Sequence, residues 1–392
     1  MPNSLRRFSR ISLIILSLIL FTNCTKQKET KNELNVMAYY VPSDKFKVED
    51  LPYDKLTHIL FSFTEVIENK MAFEHEEMSE KLRNLTSAAK KHPNVKIMIA
   101  CGGWGGSGGF SDMVYTKENR QIFVNSVIEF IKKYDLDGID LDWEYPGLPG
   151  IGNTFRPEDK ENFTALVKEL RQALDKYEKG QIMTFAAAGW EKYFDHIELS
   201  EVMKHMDYIN IMTYDMAGGS PLTTHHTNLY GIPYEELEET TREYLKAHDI
   251  NYQPRSVNDI TGFCLNKGVD PAQIVIGAAF YGRSWKGVPA MNNGLRQEHN
   301  NNKGAHSYTD LQQMMADDSN YKRFWDDKSS APFIYNPLDS MFISLDDPES
   351  LALKTQYALE KGLGGIMFWQ LSHDNKENDL VKAIFEAKTN KP

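Results

Sequence analysis

The segment Gly138-Ile139-Asp140-Leu141-Asp142-Trp143-Glu144 constrains this chain more than any other. Acid and bulk alternate along it. Side chains of a strand point alternately to opposite faces, so Asp140, Asp142 and Glu144 share one face and Ile139, Leu141 and Trp143 the other. Three neighbouring carboxylates repel one another, and burial makes the repulsion worse. Such a cluster persists where a proton is shared, a partner binds, or chemistry requires it. The plainer readings are a solvated edge strand and a metal site. Against them stand the apolar opposite face and Tyr145-Pro146-Gly147, which marks a strand end opening into a loop. Asp137 precedes the alternating set and reads as a residue that orders the turn.

The 392 residues suffice for one large barrel or two domains. A formal net charge of −11 argues against a nucleic-acid partner and tolerates a neutral or cationic polymer. At the N-terminus, Arg6, Arg7 and Arg10 precede an apolar run from Ile11 to Phe21. That run is too short to span a bilayer, which needs about 20 residues, so residues 1–23 read as a secretion signal. The chain turns polar after Cys24, from Thr25 to Glu33. This arrangement resembles a bacterial lipoprotein signal, although Asn23 is larger than the usual Gly or Ala. The resemblance implies a lipid on Cys24, a tether over 24–33 and a place on the cell envelope; plain secretion is the alternative. Cys101 and Cys264 lie in apolar surroundings and read as buried free thiols, with a bridge between them left open.

Beyond the tether, short apolar runs alternate with amphipathic helical stretches. Eight strand candidates stand out: Val36–Tyr40, His58–Phe63, Lys96–Cys101, Gly138–Trp143, Ile182–Ala187, Tyr208–Met212, Ile274–Phe280 and Gly365–Trp369. Helices are expected over Ser79–Lys91, Glu118–Tyr134, Pro157–Tyr177 and Pro348–Lys361, with Ser79 as an N-cap and Pro348 in a first turn. Eight strands with helical crossovers predict an α/β fold, one (β/α)8 TIM barrel over 34–392. A doubly wound open sheet is the runner-up. In such a barrel the site lies at the C-terminal strand ends, where Glu144 falls. Two connections are long, Ala217 to about Pro254 and Trp285 to about Asp347. In the second, Tyr308–Asp317 reads as a helix, and Phe333–Tyr335 and Met341–Ser344 as strands.

Asp-Gly-Ile-Asp-Leu-Asp-Trp-Glu resembles the catalytic signature of the chitinases of glycoside hydrolase family 18. Further matches follow in order. Ile211-Met212-Thr213-Tyr214-Asp215 resembles a Met-x-Tyr-Asp motif, Phe280-Tyr281-Gly282-Arg283 a cleft Tyr and Arg, and Gly364-Gly365-Ile366-Met367-Phe368-Trp369 the last strand. The resemblance covers nearly the whole chain from Val36. It implies hydrolysis of β-1,4-linked N-acetylglucosamine polymers, chitin and chitooligosaccharides, by a monomer without cofactor or metal. Glu144 is then the acid that protonates the leaving oxygen and later the base for water. The substrate's own acetamido oxygen attacks, as family 18 is an exception to the two-carboxylate rule. Asp142 holds the acetamide N–H, Asp140 is its buried partner, and Tyr214 aligns the attacking oxygen. Asp215, Tyr281 and Arg283 bind the sugar, Arg283 with an ion-pair role as its alternative. Trp369 floors the reacting subsite, and Trp104 offers a stacking platform. Phe63 either joins the floor or belongs to the core. Tyr40 is expected to touch the buried acids.

Gly102 and Gly103 match the family's Ser-x-Gly-Gly, but Ala100 replaces the Ser. That removes a hydroxyl expected near Asp140, a hydrogen bond of about 0.5–1.5 kcal/mol, and leaves the pH optimum open. The resemblance also implies a small α+β insertion, about 285–347, between strand seven and its helix. His225-His226 reads as a solvated or substrate-facing loop, since no third ligand stands in register for zinc. Gly105-Gly106-Ser107-Gly108-Gly109 lacks the Lys-Ser/Thr of a phosphate loop. Two other functions share much of this pattern: an endo-β-N-acetylglucosaminidase on N-glycan cores, and a non-catalytic chitin-binding protein. The latter typically replaces the residue corresponding to Glu144, which is present here.

Overall fold

A computed structural model describes residues 34–43, 46–300 and 303–389. The signal and Cys24 lie outside the described residues. Eight parallel strands form the barrel: β1 Asn35–Tyr40, β2 His58–Ile67, β3 Lys96–Gly102, β4 Gly138–Asp142, β5 Ile182–Ala188, β6 Tyr208–Met212, β7 Ile274–Ala279 and β8 Gly365–Trp369. Each pairs with its neighbour in sequence order, and β1 pairs with both β2 and β8, so the sheet closes. Closure excludes the open-sheet alternative. β2 continues four residues beyond its expected end and forms a hairpin with Lys70–Ala72.

Period-two alternation sorts side chains into two cores. Met37, Tyr39, Leu60, Met98, Ala100, Val275 and Met367 fill the lumen. Val36, Ala38, Tyr40, Ile59, Phe61, Ile97 and Ile99 face outward into the larger core under the helices. The helix Lys117–Tyr134 shows why these segments dock. It buries Phe123, Val124, Val127, Phe130, Ile131 and Tyr134 at helical spacing, each large apolar side chain contributing about 1.5–3 kcal/mol. Thr116 caps its start by accepting from the Asn119 N–H, and Asp135 ends it in the left-handed region. The next residues lead into β4. Asp137 accepts from the Ile97 N–H at 2.8 Å and pairs with Lys96, a structural role that ties the start of β4 to β3.

Several expected helix bounds shift by one or two residues, and the Pro348 start is met. The helix expected from Ser79 runs Glu77–Ala89, and the Ser79 hydroxyl meets that of Tyr134 instead of capping. The third expected helix starts at Asp159 and not Pro157. Pro348 opens Pro348–Glu360, with Asp347 closing a capping box.

The insertion begins earlier than residue 285. The chain leaves β7 and enters a second sheet at Tyr281, within an apolar run that holds no Pro and in which Gly277 and Gly282 make no turn. Five antiparallel strands follow the spatial order Lys303–Ser307, Tyr281–Lys286, Met341–Ser344, Ala331–Asn336 and Lys322–Asp326, accompanied by the helix Tyr308–Asp317. A wholly buried ion pair fastens its exit. Lys354 Nζ lies 2.7 Å from both Asp346 Oδ2 and Thr227 Oγ1. The same Asp346 oxygen accepts from Thr227 and from the Ala279 N–H at the end of β7.

Candidate active site

The acids of β4 enter the lumen at its C-terminal end. Asp140 is fully buried, Asp142 4 % exposed and Glu144 9 % exposed. Ile139, Leu141 and Trp143 pack outward, as the alternation requires. Three neutral donors surround Asp140: the Tyr39 hydroxyl at 2.8 Å, the Thr184 hydroxyl at 2.5 Å and the Asn210 amide at 3.2 Å. Burial lifts its carboxyl to about 6, while these donors pull it down. Burial, and then the charges of Glu144 and Asp140, hold Asp142 well above the usual carboxylate range. Burial pushes Glu144 up to about 7, against a hydrogen bond from Tyr145 and with the help of the Asp215 charge. The deepest acid is therefore the best solvated by protein dipoles, and the two above it favour their protonated forms.

β3 must approach closely for this. A side chain on Gly102, at φ +115°, would sit 2.0 Å from the Asp142 carbonyl oxygen, and one on Gly103, at φ +82°, would strike Phe63. Ala100 lies beside Asp140 in register. The hydroxyl absent there is supplied across the other neighbour, by Thr184 of β5.

A cavity of about 990 Å³ opens above the acids, lined by Tyr39, Asp142, Glu144, Tyr214, Asp215, Tyr281, Arg283, Trp104 and Trp369. Phe63 lines it too, stacked on Trp369 with centroids 5.5 Å apart and planes 17° apart. It is thus floor and not outer core. Trp104 is 51 % exposed at the rim, 6.4 Å from the Tyr145 ring. The insertion contributes Ala305, His306, Ser307 and Asp310, one wall of the cleft.

Asp215 stands in the left-handed region at φ +58°. Arg283 grips it with two hydrogen bonds of 2.6 Å, so Arg283 is an ion-pair partner within the cleft wall. His226 Nδ1 accepts from the Asp215 N–H at 3.3 Å. Burial raises the Asp215 carboxyl, but the paired hydrogen bonds and the charge of Arg283 outweigh it and hold the group well below the usual range.

The family model of the glycosyl hydrolases family 18 matches residues 35–374. The chain belongs to this family. It is 35 % identical over 309 residues to Chitinase A1 of Niallia circulans, covering 76 % of this chain and 43 % of that one. Against the Endochitinase of Manduca sexta it is 32 % identical over 377 residues, covering 88 % and 65 %. It thus spans less than two thirds of either relative. Among solved structures, a family 18 N-acetylglucosaminidase from Paenibacillus barengoltzii superposes with a TM-score of 0.80 at 32 % identity, covering 90 % of this chain and 99 % of that one. The Ostrinia furnacalis Group IV chitinase gives 0.80 at 27 %, covering 91 % and 100 %.

Within this family 18 barrel, two sequence expectations need correction. Tyr40 does not reach the acids. It points outward against Phe61, and Tyr39 is the residue bonded to Asp140. The tandem Tyr39-Tyr40 hides the register, and a one-residue slip exchanges faces. His225-His226 is not a solvated loop. His225 is buried against Asp326 at 3.1 Å, and His226 is fully buried behind Asp215. Thr184 and Asn210 also escaped notice. Both occupy lumen-facing positions of recognised strands, so the alternation of β5 and β6 was the available signal. Cys101 and Cys264 are both buried and unbridged, and burial pushes each thiol up to about 12.

Proposed function

We propose that this chain hydrolyses β-1,4-linked N-acetylglucosamine polymers with retention of configuration, the substrate's 2-acetamido group acting as nucleophile. One observation carries the reading: among the described residues, every cleft carboxylate outside the β4 cluster is already committed. The Asp215 carboxylate is gripped by Arg283, and Asp310 closes a capping box with Ser307. Neither is free to attack an anomeric carbon from across the sugar.

The steps follow from the side chains. Glu144, favoured in its acid form, gives its proton to the glycosidic oxygen as the bond to the anomeric carbon breaks. The acetamido carbonyl oxygen attacks that carbon from the opposite side, forming an oxazolinium ion. Asp142, once it passes its proton to the neighbouring Asp140, accepts the acetamide N–H as a carboxylate and offsets the positive charge. The Tyr214 hydroxyl holds the acetamido oxygen in line. Water then opens the ring, giving its proton to Glu144 and restoring the original configuration. Trp369 and Phe63 offer an apolar floor to the sugar's C–H face.

Relatives named as chitinases support this substrate class. The N-acetylglucosaminidase fold neighbour supports a second reading, release of single N-acetylglucosamine units from chain ends. The product pattern from an N-acetylglucosamine hexamer separates them: dimers and longer pieces for the first, monomer from the outset for the second. Release of high-mannose glycans without hexamer cleavage would refute both.

The lipoprotein-like N-terminus supports a membrane-anchored enzyme on the cell envelope, with Cys24 carrying the lipid. Cys24→Ala is expected to move the protein from the membrane fraction to the soluble one. Unchanged partitioning would end that proposal.

A further inference from the structure

β4 ends at Asp142, so the barrel ladder stops two residues before Glu144. Two loop side chains hold the backbone there. The Glu144 N–H donates to Ser107 Oγ at 2.9 Å. The Glu144 carbonyl accepts from the Asn153 side-chain amide at 3.1 Å. Ser107 is fully buried and lies in the glycine-rich run after β3, which the phosphate-loop reading left without a purpose. Its hydroxyl hydrogen faces two carbonyl oxygens, Gly103 at 2.8 Å and Asp142 at 3.1 Å. One side-chain oxygen thus ties the backbone on both sides of Trp143. Trp143 itself is fixed outward, stacked on Phe110 at 5.3 Å and edge-on to Phe163 at 6.0 Å.

Resting on the functional reading above, we propose that Ser107 and Asn153 are positioning residues that seat Glu144 for proton transfer. Neither side chain lines the cleft. They fix the two backbone groups from which the Glu144 side chain departs, and with them the direction of its carboxyl. General acid–base transfer needs donor and acceptor within about 2.6–3.2 Å, and a displacement of about 1 Å lowers rates on the order of 10²-fold. Glu144 must meet this demand twice, at the leaving oxygen and at the incoming water. A carboxyl at the end of an untethered loop would not hold that place.

The test compares wild type with Ser107→Ala, Asn153→Asp and the hydroxyl-keeping Ser107→Thr on the N-acetylglucosamine hexamer. Ser107→Ala and Asn153→Asp are each expected to lower kcat about 10–100-fold, with KM changed less than about threefold. The alkaline limb of kcat/KM should move in both, because it reports the surroundings of the Glu144 carboxyl. Ser107→Thr should recover most of the lost kcat. A loss explained by a lower folded fraction, with the limb unmoved, would make Ser107 a structural staple and overturn the proposal. Retention of kcat within threefold in Asn153→Asp would overturn it too, and that variant decides the matter if Ser107→Ala does not fold. A wild type that leaves the hexamer intact would instead bring down the functional reading itself.

Discussion

Glu144→Gln is expected to lower kcat at least about 10³-fold while leaving oligomer binding intact. Removing a general acid alone typically costs about 10²–10⁴-fold, and here the same carboxyl serves both protonation and deprotonation. The amide keeps the size of the side chain and loses only the proton, so the cleft that binds the sugar is unchanged. The pH profile supplies an independent readout. Burial pushes Glu144 up to about 7, and the reaction needs its protonated form. Wild-type kcat/KM should therefore hold below pH 7 and fall about tenfold per unit above it. Any residual activity of Glu144→Gln should lack that limb. Steady-state kinetics from pH 5 to 9, with calorimetry of hexamer binding, checks all three points. Turnover above a tenth of wild type would remove Glu144 from the mechanism.

Lys354→Met should be the most destabilising single change outside the site, by about 3–5 kcal/mol. Its ammonium and the Asp346 carboxylate are both fully buried. Methionine fills the space but leaves Asp346 charged and short of a partner. Asp346 cannot simply turn to water, because it also holds the Ala279 N–H and the Thr227 hydroxyl. The single Thr227 hydroxyl hydrogen faces both Asp346 and the carbonyl of Thr213, next to Tyr214. The loss should therefore appear both as a lower denaturation midpoint and as looser packing beneath the cleft. Equilibrium unfolding in urea reads the first directly. A shift below about 1 kcal/mol would mean that the pair contributes little to stability.

Strand positions were legible because barrel strands are short, apolar and bounded by polar turns. The five-residue match at Tyr208–Met212 and its motif beyond shows the ease of it: an apolar run, then Thr213-Tyr214-Asp215 at the open end. Faces were legible wherever acid and bulk alternate, as in β4. They were not legible in Met37-Ala38-Tyr39-Tyr40, where every residue is apolar or aromatic and either register buries a tyrosine. Local pattern also missed what depends on distant partners. His225 reads as polar loop until Asp326, 101 residues further along the chain and itself paired with Arg296, folds back beside it. Thr184 reads as an ordinary strand threonine until Asp140 stands across from it. The early start of the insertion at Tyr281 escaped for a related reason. At the crossing the Phe280 N–H and carbonyl are both still paired, with Trp369 and Tyr308, so no turn marks the change of sheet.

The substrate as its own nucleophile is the central claim, and the configuration of the first product tests it most directly. Attack by the acetamido oxygen inverts the anomeric carbon once, and water inverts it again. Proton NMR of a fresh hexamer digest, recorded before mutarotation, should therefore show the β-anomer at the newly formed reducing end. Predominance of the α-anomer at the earliest times would mean direct displacement by water and would contradict the mechanism.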